Sequence, residues 1–456
     1  GASMFKRLSN SHWMLTGLWL VVVSVISVPV WAEDSVPAIN SGDTAWLLIS
    51  TALVLMMTAP GLALFYGGLV SQRNVLSTLM HSFFCMCLIG VQWVIWGYTL
   101  AFGPDVGGII GNLEHLFFMG VGPEANGSIP ALVFAMFQGA FAIITVALIT
   151  GTFAERINFT AFILFALLWT TLVYDPLCHW VWGADGWLLK LGALDFAGGT
   201  VVHISSGISA LVACIVIGKR VGYPKMGQPP HNLPFTLIGA ALLWFGWFGF
   251  NAGSALAANG IAAYAFVTTN TAAATAGLTW PLLEWILRGK PTVLGCTTGA
   301  VAGLVAITPA AGFVTVPSAL AIGFGASVIC YIGLNTIKTK FGYDDTLDVF
   351  GVHGLGGTWG AFATGIFCTT SVNPAGQDGL LYGNPGQLVT QLIGIGAGYA
   401  LAIVGTLVCL GIVRMVTSLR VTPEEEVSGL DFALHGEVAY NLLSQGMTNI
   451  SNYEER

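Results

Sequence analysis

The chain has 456 residues, 55% of them hydrophobic and only 8% charged, with a formal charge of −7. An ordinary soluble chain carries about 25% charged residues, so a soluble multidomain protein is excluded and a polytopic membrane protein remains. The thinly spread negative charge also leaves no basic surface for nucleic acid.

From the amino end, Gly1-Ala-Ser3 ahead of Met4 is read as a tag remnant. Lys6-Arg7, the apolar run Met14 to Val30 and the small-residue site Val30-Trp-Ala32 have the layout of a secretory signal peptide, with an uncleaved first helix as the alternative. Residues 1–32 are thereby set apart from a membrane domain at 33–420 and a polar tail at 421–456. Eleven apolar segments follow the signal, at about 45–69, 78–102, 129–152, 158–178, 196–218, 234–256, 260–286, 291–310, 317–336, 346–368 and 386–416. Each is near the ~20 residues that a ~30 Å hydrocarbon core requires. In lipid such segments must be helices, because an unsatisfied backbone group has no water to bond. The expected fold is therefore all-α, with eleven transmembrane helices.

The Lys and Arg residues from Arg73 to Arg420, Lys190 excepted, fall at or after the ends of odd-numbered segments. Positive charge gathers on the cytoplasmic side, which places the amino terminus outside and the carboxyl terminus inside. Cys85, Cys87, Cys214, Cys296, Cys330 and Cys409 lie within apolar runs and read as small core residues, with Cys178 and Cys368 as the more exposed pair. No nucleophile–base set or metal cluster is legible, so neither an enzyme nor a cofactor is expected.

Two stretches carry polar chemistry into apolar segments. Asp195-Phe-Ala-Gly-Gly-Thr-Val-Val-His203-Ile-Ser-Ser-Gly207 and Asp345-Thr-Leu-Asp348-Val-Phe-Gly-Val-His353-Gly-Leu-Gly-Gly357 share an eight-residue interval from Asp to His. On the expected topology the fifth segment runs inward and the tenth outward. At 1.5 Å per residue, both imidazoles then lie about 12 Å in from opposite faces, near the midplane. That is the pattern of a 5+5 inverted repeat with its site at the repeat interface and a final helix outside it. Gly198, Gly199 and Gly207 beside the first histidine, and Gly351, Gly354, Gly356, Gly357 and Gly360 beside the second, would let the two helices approach closely. Asp195 has two readings, a vestibule anion or a helix N-cap, and Asp345 and Asp348 are read as helix-start residues. His81 is read as a satisfied polar contact, while His115, His179, His231 and His435 fall in loops, segment ends or the tail.

These two stretches, together with Phe137-Gln-Gly-Ala-Phe141, Ala154-Glu-Arg156, Trp244-Phe-Gly-Trp-Phe-Gly-Phe250-Asn-Ala-Gly-Ser254 and Gly429-Leu-Asp431-Phe-Ala-Leu-His435-Gly436-Glu437-Val-Ala-Tyr440, resemble the ammonium transporter (Amt/Mep) family of bacterial type along nearly the whole chain. The resemblance implies ammonium or ammonia as substrate and nitrogen uptake across a cell inner membrane. It makes His203 and His353 twin pore histidines, Phe141 and Phe250 a gate, and Trp182, Ser254 and Phe137 an outer recruitment site. The loop from Trp182 to Trp187 is one residue longer than the family form, which leaves Trp187 as a rival for the recruiting tryptophan. A homotrimer is implied too, with a tail (Asp431, His435, Gly436, Glu437) that docks on the inner face and answers to a PII-type regulatory protein. An ammonium sensor and a Rhesus-type gas channel are the alternatives.

The chemistry is constrained. Dehydrating ammonium is the main obstacle to crossing lipid. Aromatic faces offset it by cation–π attraction of about 0.5–2 kcal/mol each, and a hydroxyl can accept a hydrogen bond. Beyond a phenylalanine gate a bare cation is costly and ammonia is not, so deprotonation near the gate is expected. The two imidazoles can share or relay a proton as a coupled pair. Whether the proton returns outside or crosses separately stays open.

Overall fold

The computed structural model describes residues 38–225 and 229–440; the expected signal segment and the last part of the tail lie outside them. Helical runs occupy the segments expected from the sequence: α1 (Ser41–Leu69), α2 (Gln72–Phe102), α3 (Ala131–Phe153), α4 (Phe159–Leu191, broken at Gly183), α5 (Gly199–Ile217), α6 (Leu233–Ala255), α7 (Gly260–Arg288), α8 (Val293–Ile307), α9 (Val316–Phe341), α10 (350–367) and α11 (Pro385–Val416). Two short tail helices follow, α12 (Pro423–Ser428) and α13 (Leu430–His435). Eight of these helices are long and apolar enough to cross a membrane. The other long runs, α7, α8 and α10, differ in kind: α7 carries the polar stretch Thr268-Thr-Asn-Thr271, α8 has 15 residues, and α10 opens late.

Polar residues just ahead of the apolar runs start the helices. The side chains of Asn40, Asn158, Asn232, Asn259, Thr292 and Thr315 each accept a hydrogen bond from a first-turn amide, satisfying donors that a helix end leaves open. Single π-helical turns interrupt α1 at Met57–Leu62 and α6 at Phe248–Ala252, α4 at Thr170–Tyr174 and α9 at Gly333–Ile337, and α5 at Gly199–Ile204 and α10 at Phe350–Gly354. Each of these pairs joins segments five apart in chain order, whereas a seventh such turn, Trp93–Gly97 of α2, has no counterpart in α7. Such turns widen the helix locally and recur at functional positions.

Burial separates the helices into layers. The most apolar stretch of α3 is 83% buried and that of α5 78%, whereas that of α11 is 33% buried, so α3 and α5 are central and α11 is peripheral. Between α2 and α3 lie two small antiparallel hairpins, β1 (Asp105–Val106) with β2 (Ile110–Gly111) and β3 (Ala125–Asn126) with β4 (Ile129–Pro130). His179 pins the first of them from a buried position, with Nδ1 2.9 Å from the Ala101 carbonyl and Nε2 3.0 Å from Asp105.

Three sequence expectations are corrected. Cys178 and Cys368 are buried, while Cys87 and Cys296 are exposed, because in a lipid-facing protein an apolar run covers the outer surface as readily as the core. His81 is buried among Phe153, Phe159 and Phe162, yet neither ring nitrogen has a hydrogen-bond partner among the described residues. Finally, α5 begins at Gly199 and α10 at Phe350, so each histidine lies in the first turn of its helix rather than two turns in.

Candidate functional site

The late start of α5 has a local cause. The Asp195 carboxylate accepts hydrogen bonds from the amides of four residues, Gly198 (2.9 Å), Gly199, Thr200 (2.9 Å) and Val201 (3.1 Å). That satisfies all the donors of the first turn at once. The chain reaches this position through Gly198, whose φ of 118° is open to glycine. Of the two readings of Asp195, the geometry is that of the N-cap. From α11, Gln391 fixes both sides of the junction by bonding the Leu194 amide and carbonyl and the Ala361 carbonyl of α10.

The start of α10 is built differently. Asp345 accepts the Phe350 amide (2.8 Å), whereas Asp348 adopts a left-handed φ of 60° and binds Lys338 instead of capping a helix amide. The two helices then cross in direct backbone contact. A Cβ on Gly207 would lie 2.0 Å from the Gly354 nitrogen, and one on Gly357 would lie 2.9 Å from the His203 Cβ and 3.0 Å from the Gly199 carbonyl.

This crossing sets His203 Nδ1 3.1 Å from His353 Nδ1, with the rings 5.2 Å apart and inclined by 21°. One Nδ1 must carry the hydrogen and the other the lone pair, so the two neutral imidazoles hold complementary tautomers. His203 Nε2 has no protein partner among the described residues. Both rings line a narrow cavity walled by Met57, Leu62, Phe65, Ile144, Leu148, Val202, Leu243, Trp247, Phe250 and Val301. Its free volume is about 10 Å³, room for little more than one water-sized molecule.

Aromatic rings close one end. Phe250 stands 6.1 Å from His203 and 4.3 Å from Phe141, with the two phenylalanine planes 34° apart. Beyond them, Phe141 meets Phe137 at 4.9 Å and the edge of Trp182 at 6.0 Å. Trp182 is held by its Nε1, which donates to the Asp195 carbonyl at 2.8 Å. Ser254 is half-buried, and its hydroxyl hydrogen is committed to the Phe250 carbonyl at 2.7 Å, which leaves its lone pairs free. Its neighbour Gly253 abuts the Phe137 ring. Trp187 instead packs on Trp180 at 5.6 Å. The structure thus groups Phe137, Phe141, Phe250, Trp182 and Ser254 and leaves Trp187 apart. Trp247 was missed by the sequence reading: it stacks on His203 at 5.5 Å and is anchored by its Nε1 on Thr308. Its place in the Trp-Phe-Gly-Trp stretch was the available signal. No group of three or more His, Cys, Asp and Glu side chains arranged to hold a metal occurs among the described residues.

The tail residues lie elsewhere, on the end bearing Asp345. Asp431 accepts the amides of Leu76 and Ser77 at the start of α2, and Asn74 accepts the Leu430 amide. Glu426 accepts the Val221 amide and pairs with Arg420. His435 packs edge-on against Phe159, while Gly436 and Glu437 are exposed. Arg220 ties this region together by ion pairs to Glu155 (2.6 Å) and Asp344 (2.7 Å). Burial alone would raise the Asp344 carboxyl, but the bonds from Arg220, helped by Arg156, hold it below the ordinary carboxylate range.

Comparison with known proteins accords with this arrangement. Residues 45–440 match the model of the Ammonium Transporter Family. The chain is 54% identical to an ammonium transporter of Bacillus subtilis over 402 residues, covering 88% of this chain and 98% of that one. It is 49% identical to the ammonium transporter Amt1 of Archaeoglobus fulgidus, over 88% of this chain and all of the relative. The crystal structure of Saccharomyces cerevisiae Mep2 superposes with a TM-score of 0.77 at 38% identity, covering 81% and 85% of the two chains. A solved sensor Amt protein gives 0.79 at 30% identity, covering 86% and 98%.

Proposed function

The chain belongs to the ammonium transporter family, and from that premise we propose that it moves ammonium across a membrane by the route its aromatic and histidine groups outline. The observation that carries the reading is two hydrogen-bonded imidazoles on one apolar cavity, directly beneath a pair of phenylalanine rings in tilted contact. Trp182, Phe137 and the free lone pairs of Ser254 hold the dehydrating cation at the outer end. Cation–π attraction there supplies about 0.5–2 kcal/mol per face. Phe141 and Phe250 exclude a hydrated ion, so the proton is surrendered at the gate and ammonia passes. His203 Nε2, unpartnered in the protein, donates to or accepts from it according to the tautomer. Because the histidine pair can exchange tautomers, it can relay a proton as well as guide ammonia.

The wider architecture is proposed with it: eleven membrane-crossing helices in a 5+5 inverted repeat plus α11, a homotrimer in a cell inner membrane, the amino terminus outside and the tail cytoplasmic. The paired π turns of α1 and α6, α4 and α9, and α5 and α10 support the repeat. The membrane domain over 33–420 and the tail over 421–456 are proposed as separate functional parts, the tail answering to a PII-type protein. The docking of Asp431 on the amides of Leu76 and Ser77 supports this, since it ties the tail to the start of α2. The likeness to a sensor Amt protein sustains a second reading, ammonium sensing with little conduction.

Charge displacement on an ammonium jump, in proteoliposomes on a solid support, tests both. A current establishes charge-moving transport. Internal pH change without current means neutral ammonia conduction, and neither response, with ammonium binding intact, selects the sensor.

A further inference from the structure

Past the end of the cavity opposite the aromatic cluster lies a group that the proposed route does not use. The Lys338 amine lies 2.6 Å from the Asp348 Oδ1 and 2.7 Å from the Asp345 carbonyl. The Asp345 side chain is wholly buried, with Oδ2 on the Phe350 amide and Oδ1 unpartnered among the described residues. Asp348 is held at a left-handed φ of 60°, a conformation that a non-glycine residue keeps when the surroundings over-determine it.

Along α3 the cluster lies farther from the aromatic cluster than the cavity does. Leu148, a cavity-wall residue, accepts the Tyr66 hydroxyl through its carbonyl, and one turn farther along α3 the Gly151 carbonyl accepts the Leu347 amide. Asp348 itself is five residues ahead of His353. Its side chain is 35% exposed and that of Lys338 18%, so the cluster is reached from outside. A lysine ε-ammonium is a monoalkyl ammonium ion, with three donors and the charge of the substrate.

We propose that the cavity empties at this end and that the Asp348 carboxylate and the Asp345 carbonyl form an ammonium-binding cradle there, which the chain keeps filled with its own Lys338 amine. The tethered amine competes with re-protonated substrate, so ammonium leaving the cavity finds the cradle occupied and is released instead of retained. The inference rests on the ammonium route proposed above and adds a product-release device to it.

The test compares the full-length parent with Lys338→Met and Lys338→Met/Asp348→Asn. In detergent, thermal stability is measured in ammonium chloride against sodium chloride at equal ionic strength. In proteoliposomes, flux is measured with and without ammonium on the tail side. Lys338→Met is expected to gain ammonium-specific stabilisation and to lose flux several-fold under tail-side ammonium, and the second substitution is expected to remove both effects. A Lys338→Met protein that responds to the two salts as the parent does would overturn the proposal. If Lys338→Met does not fold, Lys338→Gln takes its place. Failure of both, with Lys338→Arg folded, would also overturn it, since the residue would then be a structural strut. A parent that conducts nothing, alongside a Lys338 variant that gains ammonium-specific stability, would reject the transport reading and leave the cradle standing.

Discussion

The two histidine-bearing helices, α5 and α10, share a π-helical first turn, a histidine within it and a glycine at their crossing, but their starts are built from opposite materials. At α5 the Asp195 carboxylate is consumed by four amides, so little of its charge remains to attract a cation beside the aromatic cluster. At α10 a single amide is capped by Asp345, and the free anionic capacity of Asp348 is met by an ammonium group from α9. One end is therefore neutralised by backbone, the other by a side chain that can be exchanged. On the proposed route the difference separates the tasks: cation recognition at the α5 end falls to uncharged aromatic faces, and the Lys338–Asp348 ion pair stands at the α10 end.

The comparison can be broken most decisively at the point the helices share. His203→Ala with His353→Ala should abolish the ammonium-jump response to the level of empty liposomes, while a thermal melt stays cooperative; retained current would remove the pair from the path. Next comes the start of α5. Asp195→Ala leaves four amides unsatisfied and should lower stability by about 3 kcal/mol, read as a fall in melting temperature. Asp195→Asn, which keeps an acceptor, should retain most of both stability and transport. Were Asn as damaging as Ala to transport but not to stability, Asp195 would be a vestibule anion after all.

At the crossing, Gly207→Ala drives a methyl into the Gly354 backbone and should cost about 1–3 kcal/mol. Gly354→Ala meets chiefly the Phe350 ring and should cost less, so unfolding curves of the two variants sharpen the asymmetry between the helices. At the aromatic end, Trp182→Ala should raise the half-saturating ammonium concentration by about 2–30-fold, the equivalent of one cation–π contact, and Trp187→Ala should leave it unchanged. Equal shifts in the two variants would restore Trp187 as the rival.

The smallest effect is that of pH on the tail-bearing end. Asp344 has its folded-state pKa lowered, so its contribution is present above the unfolded value of about 3.9 and is lost as pH falls through the folded value. The melting temperature of the parent should drop below about pH 4 more steeply than that of Asp344→Asn. Parallel curves would mean that the Arg220 pairs contribute nothing net.

The sequence by itself determined the helical class, the approximate position of each apolar segment and the two stretches that carry His203 and His353, because lipid imposes a length and an apolarity that can be counted along one dimension. It also offered Asp195 as a candidate cap, since capping is local. It misjudged Cys87 and Cys296, because apolar residues look alike whether they face lipid or core. Where α5 and α10 begin, and hence the depth of the histidines, was decided by side chains folding back on their own amides and by the left-handed turns at Gly198 and Asp348. The 3.1 Å meeting of the imidazoles, the stacking of Trp247 on His203, the choice of Trp182 over Trp187 beside Phe141, and the seating of Lys338 on Asp348 belong to the tertiary structure alone. Most of these contacts join residues on different helices, and no periodicity within one segment records which face of another it will meet.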